Sequence, residues 1–207
     1  MNGIINVYKE KGFTSHDVVA KLRGILHMKK IGHTGTLDPD AVGVLPVCLG
    51  KGTGLVSMIT DWTKTYEAVM ILGITTDTQD TSGNVLTKSV VDVDERTVLE
   101  VCSQFEGEYE QIPPMYSALK VNGQKLCDLA REGKTVERAA RPVKILSIDI
   151  LQVDLPRVRM RVHCSKGTYI RTLCQDIGEK LGCGGCMEKL LRTRVSEFCV
   201  EDALKLD

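Results

Sequence analysis

The stretch RVRMRVHC, Arg157 to Cys164, constrains the fold more than any other part of the chain. Arg157, Arg159 and Arg161 share one face, and Val158, Met160 and Val162 share the other. A strict period of two with one basic and one apolar face predicts an antiparallel strand with one wet side. The next segment, GTYIRTLCQDIGEKLG, changes to helical spacing, with Ile170, Leu173, Cys174, Ile177 and Leu181 on one stripe.

The remaining segments fit the same scheme. GIINVYK and YEAVMILGI read as strands, and so does VKILSIDILQV. TSHDVVAKLRGIL reads as a helix that Thr14 or Ser15 can cap, with Val18, Val19, Leu22, Ile25 and Leu26 on its apolar face. DERTVLEVCSQF reads as a second helix, with Asp94 as cap, Val98, Val101, Cys102 and Phe105 inward, and Gly107 as its stop. DTSGNV is a turn with Gly83 and Asn84 at its tip. Strands and helices mix without strict alternation, so the fold class is α+β rather than doubly wound α/β. The segment from Gln111 to Ile145, opened by Pro113 and Pro114, is basic and weakly periodic. It reads as an insertion carried on the surface.

With 207 residues, 43% of them hydrophobic, the chain can bury a sizeable core. No apolar run is long enough to span a bilayer, and the N-terminus lacks a signal-peptide layout. Cys48, Cys102, Cys164 and Cys174, four of the eight cysteines, lie within apolar patterns, which suits a reducing compartment. The expectation is a soluble cytoplasmic protein with no membrane partner.

Net charge is zero, but its distribution is uneven. Nine acidic and two basic residues lie between Asp77 and Ile112, whereas seven basic and three acidic lie between Met115 and Ser147. From Arg157 to Arg171 there are five basic residues and no acidic one. A local basic face is what a phosphate backbone requires, although solvated strand and helix faces give the same count.

Chemistry concentrates in GHTGTLDPDAVGVLPVCLG, Gly32 to Gly50. Pro39 pushes Asp38 toward extended backbone, and Gly32 and Gly35 let the chain bend close to a ligand. A carboxylate fixed there can be a nucleophile, a general base or a metal ligand. An Asp-Pro is more often only a turn or cap, but His33, Thr34 and Thr36 crowd this one. Apart from Asp40 no second carboxylate stands at a telling spacing, which speaks against a two-acid hydrolase. His16 and His33 form no helical pair, so no metal site is expected. Cys183 to Cys186 is a lone Cys-x-x-Cys, read as a tight glycine turn rather than a zinc or redox site. In CSKGTYIRT, Lys166 and Gly167 precede a helix N-terminus, a natural anion site. Arg171, one turn in, either pairs with a buried carboxylate or continues the basic stripe.

Five segments occur in order: GHTGTLDPDAVGVLPVCLG, KTYEAVMILGITTDTQDTSGNV, IPPMYSALKVNGQKL, VHCSKGTYIRTL and LRTRVSEF. From about Asn6 to Phe198 the chain resembles the TruB-type tRNA pseudouridine synthases. The resemblance implies a pseudouridine-synthase fold: a central mixed, mostly antiparallel sheet flanked by helices and loops. It implies one catalytic domain over residues 1–207, with an RNA-clamping thumb at about 113–145, and without the family's C-terminal PUA-type domain. The implied reaction isomerises the T-loop uridine at tRNA position 55. The glycosidic C–N bond breaks, the uracil turns, and a C–C bond forms at C5, with no cofactor consumed.

The resemblance also assigns roles. Asp38 matches the catalytic aspartate acting on a flipped-out base, and Arg171 matches the arginine paired with it. Tyr66 matches the tyrosine that stacks on the target base, and Tyr169 a second substrate-contacting tyrosine. His33 matches the loop histidine beside the flipped base, and Leu190 an apolar residue bordering the uracil. An extruded base must be stacked again inside the pocket, which suits these residue types. The chain departs from the family at Leu191-Arg192, where Arg-Arg is usual, so one phosphate contact is expected to be missing. The implied partner is the tRNA T-arm stem-loop, met by a monomer with no obligatory protein partner. Two other readings share the fold: an RNA-binding protein that folds tRNA without modifying it, and the catalytic subunit of a guide-RNA particle.

Overall fold

The computed structural model describes residues 1–206 and opens on strand β1 (Gly3–Lys9). Asp207, the last residue of the expected 1–207 domain, lies outside the described residues. Helix α1 (Ser15–Leu26) begins with a capping box. The Thr14 hydroxyl accepts from Asp17 N at 3.1 Å, and the Asp17 carboxylate accepts from Thr14 N at 2.8 Å. Val18, Val19 and Leu22 are buried as expected, but Ile25 is 49% exposed. At roughly 100° per residue it falls on the edge of the stripe that the others define.

Strand β2 (Ile31–His33) and strand β3 (Val42–Leu49) bracket the Asp38 loop. The apolar run before Gly50 has a simple cause: β3 is buried on both faces. Leu45, Val47 and Leu49 pack against β1 and α1 residues, while Val44 and Cys48 pack against Ile59 and Val195. Helix α2 (Val56–Thr60), strand β4 (Lys64–Leu72) and the hairpin β5 (Ile74–Thr76) to β6 (Val85–Lys88) follow.

Helix α3 (Glu95–Ser103) carries the expected cap, the Asp94 carboxylate accepting from Thr97 N at 2.8 Å. It ends before Phe105. Gly107, expected only as a stop, has φ +99° and opens strand β7 (Gly107–Gln111), which the sequence reading left unassigned. The basic insertion is more ordered than expected. It folds a hairpin of β8 (Lys120–Val121) and β9 (Gln124–Lys125) and a short helix α4 (Leu126–Arg131), with Leu126 and Leu129 buried.

The long strand β10 (Arg141–Asp154) leads to β11 (Arg157–Cys164). There Val158, Met160 and Val162 are fully buried and the three arginines exposed, as the alternation predicts. Helix α5 (Ile170–Lys180) buries Ile170, Leu173, Cys174 and Ile177; Leu181, just past its end, is only half-buried. The Cys183–Cys186 segment is a glycine turn, with Gly182 at φ +77° and Gly184 at φ +75°. Strands β12 (Gly185–Val195) and β13 (Phe198–Cys199) complete the elements used below. All eight cysteines are thiols. No helix among the described residues is long and apolar enough to cross a membrane.

The chain forms two compact units. The first holds residues 1–67, 161–166 and 189 onward. Here β3 is central, antiparallel to β1 over Gly3–Lys9 and to β2 over Ile31–His33, and parallel to β12 at Leu191 and Arg192. The second holds residues 68–160 and 167–188. In it β10 pairs antiparallel with β7, and α3 and α5 supply buried side chains. The architecture is α+β, with a mixed, mostly antiparallel sheet and flanking helices.

Candidate active site

In the first unit the Asp38 loop is fixed by residues running from the end of β1 to the start of α1. The Ser15 hydroxyl, 2% exposed, accepts from Leu37 N at 3.0 Å. Gly12 N donates to Pro39 O at 2.9 Å, and Lys9 Nζ donates to the same oxygen at 3.1 Å. Ala41 N donates to Asp38 O at 3.0 Å, closing a turn around Pro39. On the near side, Thr34 is fully buried and gives both its N–H and its hydroxyl to Pro46 O. Gly35, at φ +111°, makes the bend that brings the chain from Thr34 to Asp38. The carboxylate thus stands on a backbone tied at Leu37, Pro39 and Ala41.

Three cations lie buried in this unit, and charge counting did not find them: Lys9 at 0% exposure, Lys64 at 6% and Arg192 at 1%. Lys9 Nζ gives its protons to Glu10 O, Phe13 O and Pro39 O at 3.1, 2.5 and 3.1 Å. Lys64 Nζ donates to Thr60 O and Trp62 O at 2.5 and 2.6 Å. Burial pushes both ammonium groups down to about 8, and Asp38 and Asp40 pull Lys9 the other way. Strand parity could have shown both lysines. Lys9 shares its face with Val7, and Lys64 shares its face with Tyr66, Ala68 and Met70, all inward. Arg192 has no such signal. It stands where the family resemblance has the second residue of an Arg-Arg pair, and it is enclosed, its Nε donating to Val44 O at 2.7 Å.

Five of the predicted site residues belong to this unit. Tyr66 on β4 is 8% exposed. Burial raises its phenol, while the Arg192 guanidinium beside the hydroxyl acts the other way; Asp38 also bears on it. His33 ends β2, with its ring 5.3 Å from that of His16 in a T-shaped contact. Burial first, then His16, keeps the His33 imidazole below its usual value, so it is neutral at pH 7. Leu190 on β12 is half-buried. Lys166 is exposed and paired with Asp61 at 2.8 Å, so an anion there competes with a carboxylate already in place.

The other two, Tyr169 and Arg171, belong to the second unit. Tyr169 precedes α5 and is clamped by Gln111, itself 1% exposed. Gln111 Oε1 accepts from Tyr169 N at 2.8 Å, and its Nε2 donates to Tyr169 O at 3.1 Å. Arg171 is 5% exposed, so it does not continue the surface stripe. Its Nη1 donates to Thr78 O at 3.4 Å and its Nη2 to Tyr116 O at 2.5 Å. Its guanidinium lies 5.9 Å from the Tyr169 ring centre. Gln111 and the Tyr116 carbonyl were not foreseen, since a backbone acceptor and a lone glutamine leave no pattern.

Comparison with known proteins shows the family. The family model described as "TruB family pseudouridylate synthase (N terminal domain)" matches residues 23–170. One described as "tRNA pseudouridylate synthase B C-terminal domain" matches residues 171–207. The tRNA pseudouridine synthase B of Lachnoclostridium phytofermentans is 63% identical over 214 residues, covering all of this chain and 70% of that protein. The enzyme of the same name from Alkaliphilus oremlandii is 51% identical over 207 residues, covering all of this chain and 69% of that one. Among solved structures, a Cbf5–Nop10–Gar1 complex matches with a TM-score of 0.79 at 37% identity, over 99% of this chain and 52% of that one. This chain therefore spans about half of that solved chain. With two family models tiling it from residue 23 to its end, the chain belongs to the TruB family of pseudouridylate synthases.

Proposed function

We propose that this protein converts the T-loop uridine at tRNA position 55 to pseudouridine, with Asp38 acting as nucleophile or base on a flipped-out nucleotide. The observation that carries the reading is the fixing of the Asp38 loop. Ser15, Gly12 and Lys9 tie its backbone on both sides of the carboxylate. Such pre-organisation suits a group that must meet one atom of a substrate, because a misplacement of about 1 Å costs about a hundredfold in rate. Tyr66 serves as the stacking surface, with His33 and Leu190 beside the extruded base. Tyr169 contacts substrate, Lys166 serves as an anion contact, and Arg171 is the arginine the family resemblance assigns to the carboxylate. The reaction balances without a co-reactant: the C1′–N1 bond breaks, C1′–C5 forms, and one proton leaves C5 as one joins N1.

A monomer acting in the cytoplasm on the T-arm alone is the simplest form of this reading. A second reading, the catalytic subunit of a guide-RNA particle, has the likeness to the Cbf5 complex in its favour. The 63% identity to a tRNA enzyme, against 37% to that complex, favours the first. The test is incubation with an unmodified tRNA transcript and no guide RNA, followed by carbodiimide mapping. Pseudouridine at position 55 alone is expected. Modification elsewhere, or only when guide RNA is added, would replace this reading. A T-arm hairpin should be turned over within about a hundredfold of whole tRNA, roughly 2.7 kcal/mol.

A further inference from the structure

Arg192 differs from the other two buried cations of the first unit. Lys9 Nζ makes three bonds and Lys64 Nζ two, all to backbone carbonyls, whereas Arg192 has a whole donor atom to spare: its Nη2 is buried and has no hydrogen-bond partner within the usual geometry. The guanidinium is otherwise held tightly. Its Nε is bonded to Val44 O at 2.7 Å on β3. Its own backbone abuts Gly43, where an added Cβ would lie 2.2 Å from Arg192 O. A Cβ at Gly35 would stand 3.8 Å from its Nη1, so the bend of the Asp38 loop passes against the same group. The Tyr66 hydroxyl lies beside it as well, faced also by Cys164 and Asp38. Lys9, Lys64 and His33 complete its charged and titratable surroundings. A buried donor left unbonded is destabilising, so its presence calls for an explanation.

We propose that Arg192 is a positioning residue for the reaction: it braces the hydroxyl end of Tyr66 and the Gly35 bend of the Asp38 loop against β3. The base stacked on Tyr66 and the carboxylate of Asp38 are then held in one relative orientation. This inference rests on the function proposed above.

The test uses the whole protein and a T-arm transcript. Single-turnover rates and RNA affinity are measured for wild type, Arg192→Gln, Arg192→Lys, Tyr66→Phe and the Arg192→Gln/Tyr66→Phe double variant. Carbon NMR of protein labelled at the tyrosine ζ carbon follows Tyr66, assigned by the signal lost in Tyr66→Phe. Arg192→Gln should keep RNA affinity within about threefold and lower the rate about a hundredfold. In the Tyr66→Phe background the same change should cost less than about fivefold, the mark of coupled residues. The Tyr66 signal should move in Arg192→Gln and move less in Arg192→Lys. If Arg192→Gln does not fold, Arg192→Lys, which keeps the charge and loses the fork, is read in the same cycle. An equal cost in both backgrounds, or an unmoved Tyr66 signal, overturns the inference. If wild type itself forms no pseudouridine, the proposed function fails instead, and the NMR comparison still decides whether Arg192 braces Tyr66.

Discussion

Two sets of three cations behave in opposite ways. Lys9, Lys64 and Arg192 are enclosed in the first unit, Lys9 and Arg192 of them against the Asp38 loop. Arg157, Arg159 and Arg161 line the wet face of β11 and are exposed. From the sequence only the second set looks functional, because it forms a visible basic stripe. In the fold that stripe is partly cancelled. Arg157 makes a forked pair with Glu188, Nε and Nη2 lying 2.8–3.1 Å from its oxygens, and Arg161 Nη2 donates to Glu67 Oε1 at 2.9 Å. The enclosed set has no acid in hydrogen-bonded contact; Lys9, Lys64 and the Nε of Arg192 donate to backbone carbonyls. Position in the fold, and not the count of charges along the chain, separates enclosed cations from cations that meet solvent.

The sharpest way to break this comparison is to ask whether the braced loop matters more than any basic residue. Asp38→Asn keeps the shape of the side chain and the backbone ties at Leu37, Pro39 and Ala41. It should melt like wild type, bind tRNA, and lose at least about 10⁴ in single-turnover rate, the scale seen when a group central to the chemistry is removed. Near wild-type product formation by this variant would leave Lys9 and Arg192 bracing a loop with no chemistry.

The enclosed set can be read through its protons. Lys9 titrates at about 8 in the folded protein instead of its usual 10.5. Below about 8 both states hold the proton and stability does not change on its account. Between about 8 and 10.5 the unfolded chain binds more protons, so the folded state gains as pH rises. Against Lys9→Met, which has nothing to titrate, the wild-type advantage should grow by about 3 kcal/mol across that window, at about 1.36 kcal/mol per pH unit. Urea unfolding at pH 7.5, 9 and 10.5 measures it. A gap that stays flat would mean that Lys9 is not desolvated by its surroundings.

How much was legible follows from the same contrast. Period-two alternation located β11 to the residue, and helical spacing with a capping signal located α1 and α3. The apolar run before Gly50 became β3. The role proposed for Asp38 rests on its polar, glycine-flanked setting together with the family resemblance, and the ties of its loop to Ser15, Gly12 and Lys9 join residues some 20 to 30 positions apart. Such links are set by tertiary packing, which no local pattern encodes. Lys9 and Lys64 could have been found by extending strand parity to charged residues, which charge counting discards. Arg192 could not, because β12 has mixed burial with no clean alternation. Likewise β7 carries no apolar alternation, because the less exposed positions of GEYEQ are a glycine, a tyrosine and a glutamine.

The exposed side of the comparison can be sharpened in the insertion. Lys120 and Lys125 face each other across the β8–β9 hairpin, and both are exposed. Like charges directly opposite are unfavourable, and a phosphate between them removes the penalty. Arg131 and Lys134, by contrast, already pair with Asp128 and Glu132. Replacing Lys120 and Lys125 together by Gln should weaken tRNA binding about tenfold at low salt and flatten the log–log salt dependence by about 2. An unchanged slope would remove the hairpin from the RNA interface.

The smallest effect is expected where the sequence signal was strongest. Arg157 and Arg161 are the most regular basic residues in the chain, yet each already meets a carboxylate. For either to contact a phosphate it must leave Glu188 or Glu67, and that carboxylate then repels the RNA. The exchange returns little, because one favourable contact is traded for another and an unpaired acid is left beside the phosphate. The fork of Arg157 raises the cost further, since two parallel N–H bonds are lost at once. Arg157→Gln and Arg161→Gln should therefore each change tRNA affinity by less than about threefold and leave the salt slope within about 0.5 of wild type, where a lost phosphate contact would lower it by about 1. The control is Glu188→Gln, which frees Arg157 from its partner while keeping side-chain size. If β11 lies against RNA, Glu188→Gln tightens binding and steepens the slope, and Arg157→Gln added on top reverses both. If β11 faces solvent, neither moves. Loss of a full unit of slope on Arg157→Gln alone would show that the arginine row binds phosphate despite its acids, and the division between enclosed and exposed cations would no longer hold.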